Sequence, residues 1–315
     1  MKPPFLHHLR SKLFASLLTA FLLVFAFSCA RTPRPLELKP YESLTQILAD
    51  FSLHRADDLY RLGYPRDITG INLFRATLKR LDNFQTLNPG LYADIVAVTR
   101  GQLQERLGNY SAAAAAYASA GANASEEMRS LAAQYSERVN LLAAAVNRPL
   151  DSSSLARYAA DLELKRNDLL RLSQQFAGTP YAPLARIEAE NADVERVILL
   201  FNSRYVTPNG LNESMREANA LLERHKDSAR ELQHQILVAD FYSQAAHEYA
   251  ALHSPERADF DSAEFDPLTN AARELYFRVS QKDGTQEKLE ARAKLQALES
   301  FIRRIHSSRE SQSPQ

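Results

Sequence analysis

Between Met128 and Val146 the residues Met128, Leu131, Tyr135, Val139, Leu142 and Val146 recur at steps of three and four. That spacing lines one face of an α-helix, where side chains three and four apart are neighbours. The pattern returns at Leu155, Tyr158, Leu162, Leu169, Leu172 and Phe176, and again at Leu184, Ile187, Val194, Ile198, Phe201 and Tyr205. A fourth stripe runs through Leu295, Leu298, Ile302 and Ile305. No sustained alternation asks for strands. The glycine count agrees: the 315 residues hold 9 Gly, against roughly 20 in an average chain of this length. So few cannot serve the many tight turns of an all-β fold. The apolar share, 45%, suffices for a packed core and argues against global disorder.

The breaks between stripes are short. The pattern predicts helices over 41–62, 70–87, 91–107, 110–121, 125–147, 153–176, 181–205, 212–226, 229–253, 267–281 and 285–306. Short connections between helices make sequential neighbours antiparallel. Asp151 and Ser152 to Ser154 offer an N-cap, and Thr179-Pro180 a second entry signal. Residues 254–266 read as an acidic loop and residues 307–315 as a disordered tail. Eight glycines, Gly63, Gly70, Gly90, Gly108, Gly121, Gly178, Gly210 and Gly284, fall at or beside expected helix ends. Only Gly101 falls inside one, where Gly costs about 1 kcal/mol relative to Ala. A close approach of a second helix is the physical reason to keep it there.

The N-terminus has the layout of a processing signal. Lys2, Arg10 and Lys12 precede the apolar run Leu13 to Phe27, which is shorter than the ~20 residues of a membrane-spanning helix. It ends in Ala26-Phe27-Ser28-Cys29, which resembles the lipobox of bacterial lipoproteins. Ser28 fits the small residue before the Cys, whereas Phe27 and Ala26 depart from the usual pattern. Cys29 is the one Cys of the chain, so no intramolecular disulfide and no Cys-based metal site is available. The resemblance implies removal of residues 1–28, a lipid on Cys29, and membrane attachment through that lipid. Residues 29–40, with Pro33, Pro35 and Pro40, read as an extended tether. Loss of residues 1–28 takes Lys+Arg from 38 to 35 against 38 Asp+Glu, so the mature charge is −3. There is no basic excess for nucleic-acid binding.

Residues 91–121, LYADIVAVTRGQLQERLGNYSAAAAAYASAG, form a helix pair with small residues at set places. Gly101 lies in the first helix, Gly108-Asn109-Tyr110 at the turn, and Ala113, Tyr117 and Ala120 in the second. This resembles a tetratricopeptide repeat. The family's large aromatic near the start of the first helix is replaced by Ala97. Residues 169–189, LLRLSQQFAGTPYAPLARIEA, are similar to the junction between repeats in envelope tetratricopeptide lipoproteins of the outer-membrane assembly factor D type. There the usual Pro after Phe176 is Ala177. The resemblance implies an all-α fold of about five antiparallel helix pairs stacked as a right-handed superhelix, an α-solenoid, over residues 41–306. In that family the first helix of each pair lines a concave groove. Gln102, Glu105 and Arg106 are the candidate groove contacts, and a merely solvated face is the alternative for each.

Other constellations carry less. His247-Glu248 is followed by His253, too far on for the His-Glu-x-x-His spacing that sets two ligands on one helix face. His225 and His234 show no ligand spacing. Asp259-Phe260-Asp261 begins like a calcium loop, but Glu264 stands where Gly is required and Asn270 where the closing Glu belongs. Ser152 to Ser154 lack the nucleophile-elbow context. Asn191 sits on the stripe between Ile187 and Val194 and reads as a core Asn setting helix register.

The chain is therefore expected to be a lipid-anchored, non-enzymatic scaffold on the bacterial envelope, facing the periplasm from the outer membrane. Its expected partners are envelope proteins or their segments, in outer-membrane protein assembly or secretion. No cofactor is expected beyond the lipid on Cys29, and no metal. Two other readings stand beside this one. Helical-repeat lipoproteins resembling the T component of some solute transporters would enclose a small apolar ligand. A cell-wall enzyme would need acid residues converging in a cleft.

Overall fold

The computed structural model describes residues 39–58, 68–120 and 124–310. The signal segment, Cys29 and all of the expected tether except Lys39 and Pro40 lie outside them, as do Gly63 and Gly121. Eleven α-helices occupy the described residues, which contain no strand. They are α1 (Pro40–Asp58), α2 (Ile68–Leu87), α3 (Ala93–Arg106), α4 (Tyr110–Ala120), α5 (Glu126–Val146) and α6 (Leu155–Gln175). They continue with α7 (Tyr181–Asn202), α8 (Gly210–Arg224), α9 (Glu231–Leu252), α10 (Ser262–Ser280) and α11 (Gln286–Glu310). No helix among the described residues is long and apolar enough to cross a membrane.

The chain divides into two units, residues 1–46 and 47–315. In the first, the described part is the opening of α1, where Glu42 accepts the Lys39 backbone N–H at 3.0 Å and satisfies one orphan donor of the helix start. In the second, each helix from α2 to α11 packs on the next. Contacts also skip one helix: α3 touches α5, α5 touches α7, and α9 touches α11.

The starts of the helices follow local chemistry. Ser125 accepts the Met128 N–H at the head of α5 and Ser154 the Arg157 N–H at the head of α6, both at 3.3 Å. Between α3 and α4 the chain turns in three residues, with Gly108 at φ 74°, a conformation that disfavours a Cβ. The Asn109 N–H then returns to the Gln104 carbonyl at 2.9 Å.

Apolar side chains form two clusters that meet on α7. The first joins α3, α4, α5 and α6 to the opening turns of α7, through Tyr117, Leu142, Leu169, Tyr181 and Ala185. The second runs from Val197 and Phe201 at the far end of α7 through α8, α9, α10 and α11, around Leu221, Phe265, Val279 and Leu298.

Three expectations need correction. Helix α10 begins at Ser262, five residues before Pro267. Asp261, which read as part of a calcium-like loop, is its N-cap and accepts the Ala263 N–H at 2.8 Å. Phe260 and Phe265 are buried, so the segment is held by core packing and not merely solvated. Helix α11 runs through Glu310, so residues 307–310 are helix and not tail; Arg309 reaches Ser262 Oγ and lies 5.0 Å from the Phe260 ring centre. Asn191 is exposed and not a core residue. It donates to Glu188 at 3.2 Å and accepts from Arg230 at 2.5 Å. Leu184 and Phe201 of the expected stripe are buried and Val194 and Ile198 pack on the second cluster, but in the middle of α7 the buried residues are Ala185, Ala189, Glu190, Ala192 and Asp193. Small residues there let neighbouring helices approach closely, which hydropathy ranking overlooks.

Candidate functional site

One cavity collects the first-helix residues singled out from the sequence. It has a volume of about 500 Å³ and is bounded by Ser52 and Arg55 of α1, Gln102, Glu105 and Arg106 of α3, Tyr117 of α4, Tyr135 of α5, and Tyr181 and Pro183 of α7. That volume falls in the range of small-ligand sites.

Glycine at position 101 sets the wall. A Cβ there would lie 2.4 Å from the Tyr117 ring, so the ring occupies the space a side chain would need. Tyr117 in turn points its hydroxyl at the next turn of α3, donating to Glu105 Oε1 at 2.8 Å. Tyr181, 76 residues away in sequence, donates to the same oxygen at 2.6 Å. Thr179 orients the start of α7, accepting the Tyr181 N–H at 3.3 Å and donating to the Phe176 carbonyl at 2.7 Å. Tyr135 stands between the other two tyrosines, with ring centres 5.4 Å from Tyr117 and 6.3 Å from Tyr181.

Glu105 is 8% exposed and is therefore no solvated groove residue. Burial pushes its carboxyl up to about 7; the Tyr181 and Tyr117 hydroxyls and the Arg106 charge oppose that rise without cancelling it. It is thus poised between protonated and ionised near neutral pH. Gln102 and Arg106 are half-buried on the same helix, one turn apart, and Arg55 is exposed at the rim. The remaining repeat positions do not line the cavity. Tyr110 is buried and donates to Glu188 Oε1 on α7 at 2.8 Å, while burial and the Glu188 charge keep its hydroxyl protonated well above the ordinary range. Ala113 and Ala120 are buried in the first cluster. Asn109 caps the turn, its side chain donating to Gln104 Oε1 at 3.0 Å.

A second polar cluster, not foreseen from spacing, fills the seam between the two apolar clusters on α7. Asp193, 2% exposed, accepts from Arg166 of α6 at 3.2 Å, Arg224 of α8 at 3.2 Å and His225 at 2.9 Å. Glu190, one turn earlier, binds His234 of α9 and accepts from Ser228 at 2.6 Å. The two histidine rings are 5.7 Å apart. Burial would raise Asp193, but the His225 hydrogen bond and the Arg224 and Arg166 charges outweigh it and hold the carboxyl below its usual range. Glu190 is lowered in the same way, against burial, by His234, Ser228 and Arg230. The sequence signal was the pair Glu190 and Asp193, three residues apart amid alanines on one helix face.

Elsewhere His247 stacks on Phe301 at 3.7 Å between ring centres, and Glu248 pairs with Arg204 and Tyr205. Among the described residues no set of three or more His, Cys, Asp and Glu groups is placed to hold a metal ion. No protein-family model, no curated protein and no solved structure matches the chain.

Proposed function

We propose that this chain is a lipid-anchored scaffold of the bacterial envelope, a tetratricopeptide-like solenoid that holds extended segments of other envelope proteins on the face shared by its odd-numbered helices. One observation carries the reading: α1, α3, α5 and α7 all border a single cavity, to which α4 adds Tyr117 alone. Successive helix pairs stacked in order bring their first helices to one side, and the contacts of α3 with α5 and of α5 with α7 fit such stacking. The envelope address rests on the Ser28-Cys29 signal, the process on the likeness of residues 169–189 to assembly lipoproteins, and the reading is non-enzymatic.

A photo-crosslinking residue at Gln102 in living cells tests it. Discrete adducts with envelope proteins are expected from Gln102, and none from exposed Leu164 on α6. Silence at Gln102 would remove the scaffold reading. The cavity's volume also favours a second reading, a small ligand enclosed as in transporter accessory lipoproteins. A stoichiometric small molecule in native mass spectra, absent after Tyr181→Ala, would replace the first reading with that one. Conversion of a cell-wall substrate, abolished by Glu105→Gln with folding intact, would replace both with an enzyme.

A further inference from the structure

The chemistry of the cavity specifies what part of a bound segment it takes. Its floor combines the Tyr117, Tyr135 and Tyr181 rings with the Glu105 carboxylate. Aromatic faces attract cations, and a buried carboxylate adds charge where water is scarce. Both tyrosine hydroxyls donate to Glu105 Oε1 alone, not one to each carboxylate oxygen. The mouth has the opposite character, with Arg55 and Arg106. A cation at depth and an anion at the rim describe a pair of neighbouring residues of opposite sign.

We propose that the cavity is a subsite for a basic side chain of the bound segment, a lysine ammonium seated among Tyr117, Tyr135 and Tyr181 against Glu105, with an adjacent acidic residue meeting Arg55 and Arg106. This rests on the segment-binding reading above.

Binding then releases the protonated fraction of Glu105, about half a proton at pH 7 and more at lower pH. Glu105, held near neutrality when the cavity is empty, ionises as the ammonium arrives; its proton goes to solvent, the ammonium keeps its own, and no covalent bond forms. The charged and titratable groups around it are Arg55 on α1, Arg106 on α3, Tyr110 and Tyr117 on α4, Tyr135 on α5, and Tyr181 with the more distant Glu188 on α7. The tyrosine hydroxyls bonded to carboxylates are held protonated through the neutral range, so Glu105 is the group that titrates on binding.

The test uses the full chain and two peptides, acetyl-Ala-Glu-Lys-Glu-Ala-amide and the same peptide with norleucine for lysine. Calorimetry in two buffers of different ionisation enthalpy counts protons. The lysine peptide is expected to bind with about half a proton released at pH 7 and the release growing toward pH 6, and the norleucine peptide at least 10-fold more weakly. Glu105→Gln retains an acceptor for both tyrosine hydroxyls; it is expected to abolish the proton release and most of the preference for lysine. Tyr135→Leu, which leaves the Glu105 hydrogen bonds in place, should weaken the lysine peptide at least 5-fold. Equal binding of the two peptides would overturn the basic-residue assignment and leave the scaffold reading standing. Binding of neither, with Gln102 crosslinks intact, would overturn the assignment alone; binding of neither together with loss of those crosslinks would overturn both.

Discussion

Glu105 and Asp193 are both buried carboxylates on odd-numbered helices, yet they are held in opposite ways. Glu105 is ringed by tyrosines, its nearest cation on its own helix, and burial dominates. Asp193 is met by two guanidiniums and a histidine from α6 and α8, and these outweigh burial. The difference teaches where to look for function. A carboxylate whose charge is answered by its own fold is a fastener, here between the two apolar clusters of α7. One that borders a cavity and remains under-compensated has capacity left for a ligand.

The comparison breaks most sharply at Asp193. Asp193→Asn removes the negative charge that Arg166 and Arg224 share and turns one of its two acceptor oxygens into an amide donor, leaving the part-buried guanidiniums unanswered. A loss of about 3–5 kcal/mol is expected in urea unfolding at pH 7. A loss under 1 kcal/mol would mean the network is not a fastener.

Glu105→Gln should act the other way. A carboxyl raised from 4.5 to about 7 favours the folded state at and below pH 4.5. That advantage disappears as pH climbs through 7, because the unfolded chain releases its proton first. The variant should therefore match the parent near pH 4.5 and exceed it by about 3 kcal/mol at pH 8. Asp193, lowered below 3.8, contributes above its unfolded value and loses that contribution as pH falls through the folded one. Both variants should approach the parent at low pH and part from it in opposite directions as pH rises, Glu105→Gln becoming more stable than the parent and Asp193→Asn less; the same sign for both would erase the distinction.

Smaller effects sharpen the picture of the cavity wall. Gly101→Ala puts a Cβ against a Tyr117 ring already tied to Glu105. A net loss of about 1–3 kcal/mol is expected despite the better helix propensity of Ala, with a changed Glu105 titration by carboxyl NMR. Gly101→Leu should be worse. Tyr110→Phe deletes one hydrogen bond to Glu188, and neither residue lines the cavity. It should cost about 1 kcal/mol in thermal unfolding and leave the Glu105 titration unmoved.

Much of this molecule was legible in order along the chain. A helix was expected at each of the eleven places, four of them from apolar steps of three and four, with Ser154 at a helix start and Gly108 at a turn. The start of α10 was misplaced because Pro267 favours a helix start, whereas the Asp261 cap and the burial of Phe265 fix the start earlier. The stripe on α7 holds at Leu184 and Phe201 but misses the middle of the helix, where Ile187 and Val194 outrank alanine in hydropathy while close helix contact selects Ala185, Ala189 and Ala192.

The candidate site divides along the same line. Gln102, Glu105, Arg106 and Gly101 could be marked from one helix pair, since their spacing is local. That Glu105 meets Tyr181, and that Asp193 gathers Arg166 and Arg224 from two other helices, follows only from how the helices stack. Periodicity is a property of a single helix, so the sequence by itself determined where the helices lie and, where no alanine-lined contact intervenes, which faces they bury. Charge is decided by what surrounds a group in three dimensions, so only the tertiary structure separated the fastener from the open site.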